Sequence, residues 1–98
     1  MLHIKIIDIK KDKIITSKAE EFIRSSAYGA SIIFTGTVRN INENKEVTGI
    51  TYDIHDKLVL KSFEEIYKET EDKLEILDKA VLIEHIKGYV WLGETSIV

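Results

Sequence analysis

The chain has 98 residues, of which 44% are hydrophobic and 32% charged, and a formal net charge of −3. That length makes a single domain spanning 1–98, able to bury roughly two-thirds of the surface its unfolded chain exposes and too short for a second core. No apolar run approaches the roughly 18 residues of a membrane span, the acidic balance argues against a general nucleic-acid binder, and the lack of cysteine excludes a disulfide framework, a thiolate metal site and a cysteine nucleophile.

Leu2 to Ile9 alternates, with Leu2, Ile4 and Ile6 on one face and His3, Lys5 and Ile7 on the other, which predicts a half-buried strand with a solvated His3. A charged connection, Lys10 to Lys13, follows. Ser17 and Glu20 form a capping-box pattern ahead of an apolar stripe of Ala19, Phe22, Ile23 and Ala27, so a short helix is expected over about Lys18 to Ser26, stopped by Gly29.

Ala30 to Val38 is small, β-branched or aromatic at almost every position and reads as a buried strand. It ends on Arg39. Gly36, lacking a side chain, is expected to let backbone and guanidinium approach a ligand closely, and the guanidinium fork suits a phosphate. The plain alternative is an arginine that leaves a strand and pairs with a surface carboxylate.

The polar segment Asn40, Asn42, Glu43, Asn44 and Lys45 is expected to turn without packing and to be mobile. Val47 to Ile54 returns as a strand, forming a hairpin with the preceding one. Asp56 is positioned to cap a helix over about Lys57 to Lys73, in which Val59, Phe63, Ile66, Tyr67 and Leu74 make the apolar face. Glu64 with Lys68 and Glu69 with Lys73 sit four apart outside it.

Lys79 to Ile86 and, after Gly88, Tyr89 to Val98 read as two further strands. The order βαββαββ implies an α+β fold: a mixed or antiparallel sheet with two helices. A chain that ends in strand pattern is expected to leave either a missing continuation or an open edge near Trp91, Leu92, Ile97 and Val98, where another chain could pair.

Among the residues that could carry chemistry, His55 and His85 lie in or beside apolar runs and read as hydrogen-bonded structural histidines. Glu94, after Gly93, reads as a turn carboxylate. The sequence contains no HxxxH, GxSxG, Walker or GxGxxG pattern, so neither metal nor cofactor is called for.

Three stretches taken together, GASIIFTGTVRN from Gly29, ITYDIHDKLVLKSFEEI from Ile50 and IEHIKGYVWLGETSIV from Ile83, resemble the large, catalytic subunit of molybdopterin synthase, the MoaE family. The GTVRN element and the GxxxxGE element from Gly88 to Glu94 carry the likeness.

The resemblance implies a hammerhead-like α+β fold and a cytoplasmic sulfurtransferase of molybdenum-cofactor biosynthesis. Its substrate would be cyclic pyranopterin monophosphate, converted to molybdopterin with sulfur from the Gly-Gly thiocarboxylate tail of a small ubiquitin-like subunit. Two large subunits would form a central homodimer with a small subunit at each end, a heterotetramer. Thr37, Val38 and Arg39 would bind the substrate phosphate through backbone N–H groups and a guanidinium.

This chain departs from the family pattern in three places: His55 replaces a tyrosine, Ile86 replaces an arginine, and the lysine-bearing segment that follows in the family is not found before Val98. The first two imply an altered pocket. The third makes the domain read as C-terminally truncated, with no residue assigned a catalytic role. Lys45 and Lys87 are the nearest amines by context and read as surface lysines.

Two other functions come from different classes. A non-catalytic dimerisation and partner-binding module would keep the fold without sulfur transfer. An acylphosphatase-like hydrolase would need a Gly-rich, Arg-bearing loop after the first strand, and Asp8 to Thr16 holds neither residue.

Overall fold

The structure is a computed structural model that describes residues 1–74 and 78–98. Its elements are β1 (Leu2–Asp8), α1 (Thr16–Ile23), β2 (Gly36–Thr37), β3 (Ile41–Asn42), β4 (Lys45–Glu46), β5 (Gly49–Tyr52), α2 (Asp56–Leu74), β6 (Val81–Trp91) and β7 (Thr95–Ile97). The α+β class and mixed sheet agree with the sequence reading, and the short β3–β4 hairpin is inserted into the expected βαββαββ order.

β6 organises the sheet. Its first half pairs in parallel with β1, from Leu2 opposite Val81 to Asp8 opposite Lys87. Its second half pairs antiparallel with β5, from Tyr52 opposite Gly88 to Gly49 opposite Trp91. β7 returns antiparallel beside β6, with His85 opposite Ile97, and β2 lies outside β7. The break expected at Gly88 is absent, because its φ of +116° carries the strand through as a bend. A Cβ at Gly88 would lie 2.6 Å from Ile9 Cγ2, so no other residue fits there without a shift.

Ile7 and Ile86 face each other across the parallel pair and are buried with Ile14, Ala19, Val38, Val90 and Val98. Ile7, on the strand face shared with His3, is therefore the core residue of β1. His3 is half-buried: its Nε2 lies 3.3 Å from the carboxylate of buried Glu84 and its ring packs on Phe22. A histidine beside a buried carboxylate gives that group a partner, which replaces the solvated role expected for it.

α1 starts two residues before the expected Lys18 and ends three before Ser26. Extended Ile15 is the N-cap with no side-chain hydrogen bond, so the Ser17–Glu20 capping box does not form. Arg24 turns extended, and Ser25 accepts from Ala27 N–H through its hydroxyl (3.1 Å). Serine competing for backbone N–H groups ends the helix, well before Gly29.

α2 lies within a residue of its expected bounds. The capping role falls to His55, whose Nδ1 faces the Leu58 N–H at 3.4 Å, while Asp56 is the first helical residue and pairs with Lys87 at 3.0 Å. Val59, Phe63 and Tyr67 are half-buried; Ile66 and Leu74, also assigned to the apolar face, are exposed. On the outer face Glu69 and Lys73 pair at 2.9 Å.

The largest correction concerns Ala30 to Val38. Only Gly36–Thr37 forms a strand, because β7 offers three residues and backbone N–H and C=O groups need a neighbour to make a ladder. Ile32 is 94% exposed and Phe34 70%. The expected hairpin with Val47 to Ile54 is likewise absent, since β2 pairs with β7 and β5 with β6. The polar segment between them makes its own hairpin, β3 with β4, around Glu43 and Asn44 at φ of 51° and 63°. Two successive left-handed residues are what a two-residue hairpin turn requires, and Asn tolerates that backbone well.

Candidate functional site

The corner from Gly36 to Asn40 is held almost entirely by main-chain bonds. Gly36 sits against β7, where a Cβ would lie 2.7 Å from Ile97 Cγ2, and its C=O accepts from the Ser96 hydroxyl at 3.2 Å. Its missing side chain thus serves sheet packing and not, as expected, ligand approach. Val38 is 2% exposed. Its N–H donates to the Glu94 C=O (3.1 Å) and its C=O accepts from the Gly93 N–H (2.8 Å). The Val38 amide is therefore committed within the fold, which removes it as a backbone donor to an anion.

Thr37 and Arg39 flank Val38 and are both exposed. Alternation along extended backbone puts them on the same side, opposite the core. Beyond Arg39, the Asn40 C=O accepts from the Val47 N–H at 2.9 Å, and the β3–β4 hairpin follows. The result is a hydroxyl and a guanidinium on solvent-facing positions of a backbone pinned at 38 and at 40. Such an arrangement can hold a small anion without a metal.

The remaining candidates have structural partners. His85 is half-buried, its ring edge-on to Tyr52 at 5.0 Å, and its Nδ1 lies 2.7 Å from the Ile86 C=O. A carbonyl only accepts, so Nδ1 carries the hydrogen. Lys87 is engaged by Asp56, and Lys45 lies exposed in β4. Glu94 contributes its backbone to Val38 while its residue is exposed. Ile86 is fully buried in the core and lines neither groove described below, so it packs beneath the sheet and not in the altered pocket expected for it.

Two grooves lie elsewhere. One of about 410 Å³ is lined by apolar residues, Ala19, Phe34, Phe63, Leu82, Ile97 and Val98 among them. The other, of about 430 Å³, runs past Tyr28, Ser31, Asp78 and Lys79. Arg39 lines neither. Beside the second groove, Lys79 Nζ donates to the Tyr67 C=O (3.0 Å) and the Thr70 hydroxyl (2.6 Å) and sits 4.3 Å from the Tyr67 ring centre. Burial, then the Asp78 carboxylate, raises the Tyr28 phenol above its ordinary value; burial, then Glu71, does the same for Tyr67. Among the described residues no three His, Asp or Glu gather as a metal site would need, and no helix is long and apolar enough to cross a membrane.

The sequence reading missed the clamp made by Gly93 and Glu94 and the anchoring role of Lys79. The first had a signal, a glycine closing the GxxxxGE element. The second had none, because Lys79 stands among apolar residues and its partners lie on α2.

A family model described as MoaE protein matches residues 9–98, the corner and the Gly93 turn included. The chain belongs to the MoaE protein family. Relatives called molybdopterin synthase catalytic subunit include one from Neosartorya fischeri, 38% identical over 80 residues, or 82% of this chain and 42% of the relative. One from Pyrococcus abyssi is 33% identical over 81 residues, covering 83% of this chain and 53% of its own length. One from Drosophila persimilis is 34% identical over all 98 residues, which is 26% of its length. This MoaE-family chain thus spans about half, or less, of the curated relatives it matches.

Proposed function

We propose that this chain acts as, or within, a molybdopterin synthase catalytic subunit, a cytoplasmic sulfurtransferase, and that its Arg39 corner holds the phosphate of cyclic pyranopterin monophosphate. Sulfur comes from the Gly-Gly thiocarboxylate of a small ubiquitin-like carrier subunit, and two large subunits pair as the centre of a heterotetramer. The observation that carries this is the placement of Arg39. It is exposed, beside exposed Thr37, on backbone fixed at both flanking residues, inside the stretch that matches the MoaE family.

The physical logic is electrostatic. A guanidinium carried on backbone that is already fixed requires less ordering of the chain when it binds an oxyanion, so more of the interaction appears as affinity. Val38 contributes as the buried anchor, Thr37 and Arg39 as the groups that reach the anion. A guanidinium is a poor proton carrier, so Arg39 orients substrate, and proton traffic during sulfur transfer falls to other groups. Lys87 and Lys45 are not assigned that task.

The test is the reaction itself. Pyranopterin and a thiocarboxylated carrier are supplied, and dithiolene product is measured for the parent protein and for Arg39→Ala. Arg39→Ala is expected to lower substrate affinity about tenfold or more, the loss of a charge-assisted contact, with thermal unfolding nearly unchanged. Product formation indifferent to Arg39→Ala would overturn the assignment.

A further inference from the structure

The Leu92–Glu94 turn has no evident task in the core. Leu92, Gly93 and Glu94 are all exposed. Yet its backbone makes most of the bonds that fix the site. The Gly93 N–H and Glu94 C=O take both main-chain groups of Val38. The Leu92 N–H donates to the Thr48 C=O at 2.8 Å, next to Val47, which holds Asn40. The Glu94 N–H closes the turn on the Trp91 C=O at 3.0 Å. Residues 38–40, 47–48 and 92–94 are thereby stitched together by backbone bonds on either side of Arg39.

We infer that this turn is a positioning device for Arg39 and that Gly93 is the residue on which it depends. The inference rests on the reading of Arg39 as an anion ligand. Gly93 has φ of +82°, a backbone that L residues with branched side chains rarely adopt. A Cβ there would meet nothing within 4 Å. Glycine is thus demanded at this point by backbone hand and not by space. Replacing it leaves room for the new side chain but drives the turn toward negative φ, which pulls the Gly93 N–H and Glu94 C=O off Val38. Val38 immediately precedes Arg39, so the guanidinium loses its fixed origin while the core beneath stays packed.

Because the cause is φ and not volume, residue type should sort the effect. Asn tolerates left-handed backbone, Ala less so, and Val least. The experiment measures the dissociation constant of inorganic phosphate on the 98-residue chain, followed by NMR at the Arg39 Nε–H, for Gly93→Asn, Gly93→Ala, Gly93→Val and Arg39→Ala, each beside its thermal unfolding curve. The expected result is phosphate affinity within about twofold of the parent for Gly93→Asn, weakened a few-fold for Gly93→Ala and about tenfold for Gly93→Val, the scale of a small misplacement of a binding group. Gly93→Ala decides the matter if Gly93→Val does not fold.

The positioning role is overturned if Gly93→Ala and Gly93→Val bind phosphate like the parent while Arg39→Ala does not; the anion reading would then stand alone. Equal losses in Gly93→Asn and Gly93→Val would also overturn it, since backbone hand would not be the cause. Phosphate binding indifferent to Arg39→Ala would remove the anion reading first, and the positioning role with it.

Discussion

Residues 30–34 and 36–38 belong to one run of strand-forming sequence that ends on Arg39, and the fold treats its two halves in opposite ways. From Gly36 to Asn40 four of the five residues are tied down through the backbone: Gly36 and Thr37 to β7, Val38 to the Gly93 turn, Asn40 to Val47. At Ala30 to Phe34 the same kind of residue belongs to no strand, and Ile32 and Phe34 stand exposed beside an apolar groove. Strand propensity is a fitness for a pleated, half-covered surface and has no force without a neighbour to pair with. The chemistry follows the pairing, since a guanidinium on pinned backbone can recognise an anion and an isoleucine on unpaired backbone recognises little.

The sharpest way to break this contrast is to truncate one side chain in each half. Val38→Ala should lower unfolding free energy by about 2 kcal/mol, the burial of two methyl groups and the cavity they leave. Ile32→Ala should change it by less than about 0.5 kcal/mol. Denaturant melts of the two variants side by side check this, and comparable losses would show that residues 30–34 are paired in solution after all.

Next in size is Gly36→Ala, whose new Cβ meets a branched, rotamer-locked carbon of Ile97. A destabilisation of about 1–2 kcal/mol is expected from the required shift, together with weaker amide-exchange protection at Val38. A neutral Gly36→Ala would mean that β2 and β7 are less closely packed than described.

The smallest effect lies at the far end of the unpaired stretch. Tyr28 OH donates to Asp78 over a long 3.4 Å at an exposed position, so Tyr28→Phe should change stability at neutral pH least of these variants. The sign with pH is fixed by direction. Burial first, then the Asp78 carboxylate, raises the folded-state phenol above its unfolded value, and Tyr67 is raised by burial and Glu71. Their contribution is full below about pH 10, the unfolded value, and is lost as pH rises through the raised folded values. Stability measured between neutral and strongly alkaline pH should fall less in Tyr28→Phe than in the parent.

Much of this molecule was legible in advance where periodicity is long. The 19-residue α2 fell within a residue of its expected ends, because repeated three- and four-residue spacing averages over local error. Short elements fared worse. The Ser17–Glu20 pattern was present and unused, and Gly88 was read as a break when its positive φ carries an 11-residue strand onward. At the site, Arg39 and Thr37 lie exposed, where alternation puts them. The role given to Gly36 and the donor given to Val38 did not survive, because their partners, Ile97, Gly93 and Glu94, are more than 50 positions away in the chain.

By itself the sequence determined the kinds of element, the α+β class and an arginine at the end of a strand-forming run, all of which depend on near neighbours and their spacing. Tertiary structure alone decided which part of that run would pair, which amide would be used up inside the fold and which glycine was needed for room and which for backbone hand. Those outcomes depend on where hydrogen-bond partners from distant parts of the chain come to lie, and local composition carries no record of that position.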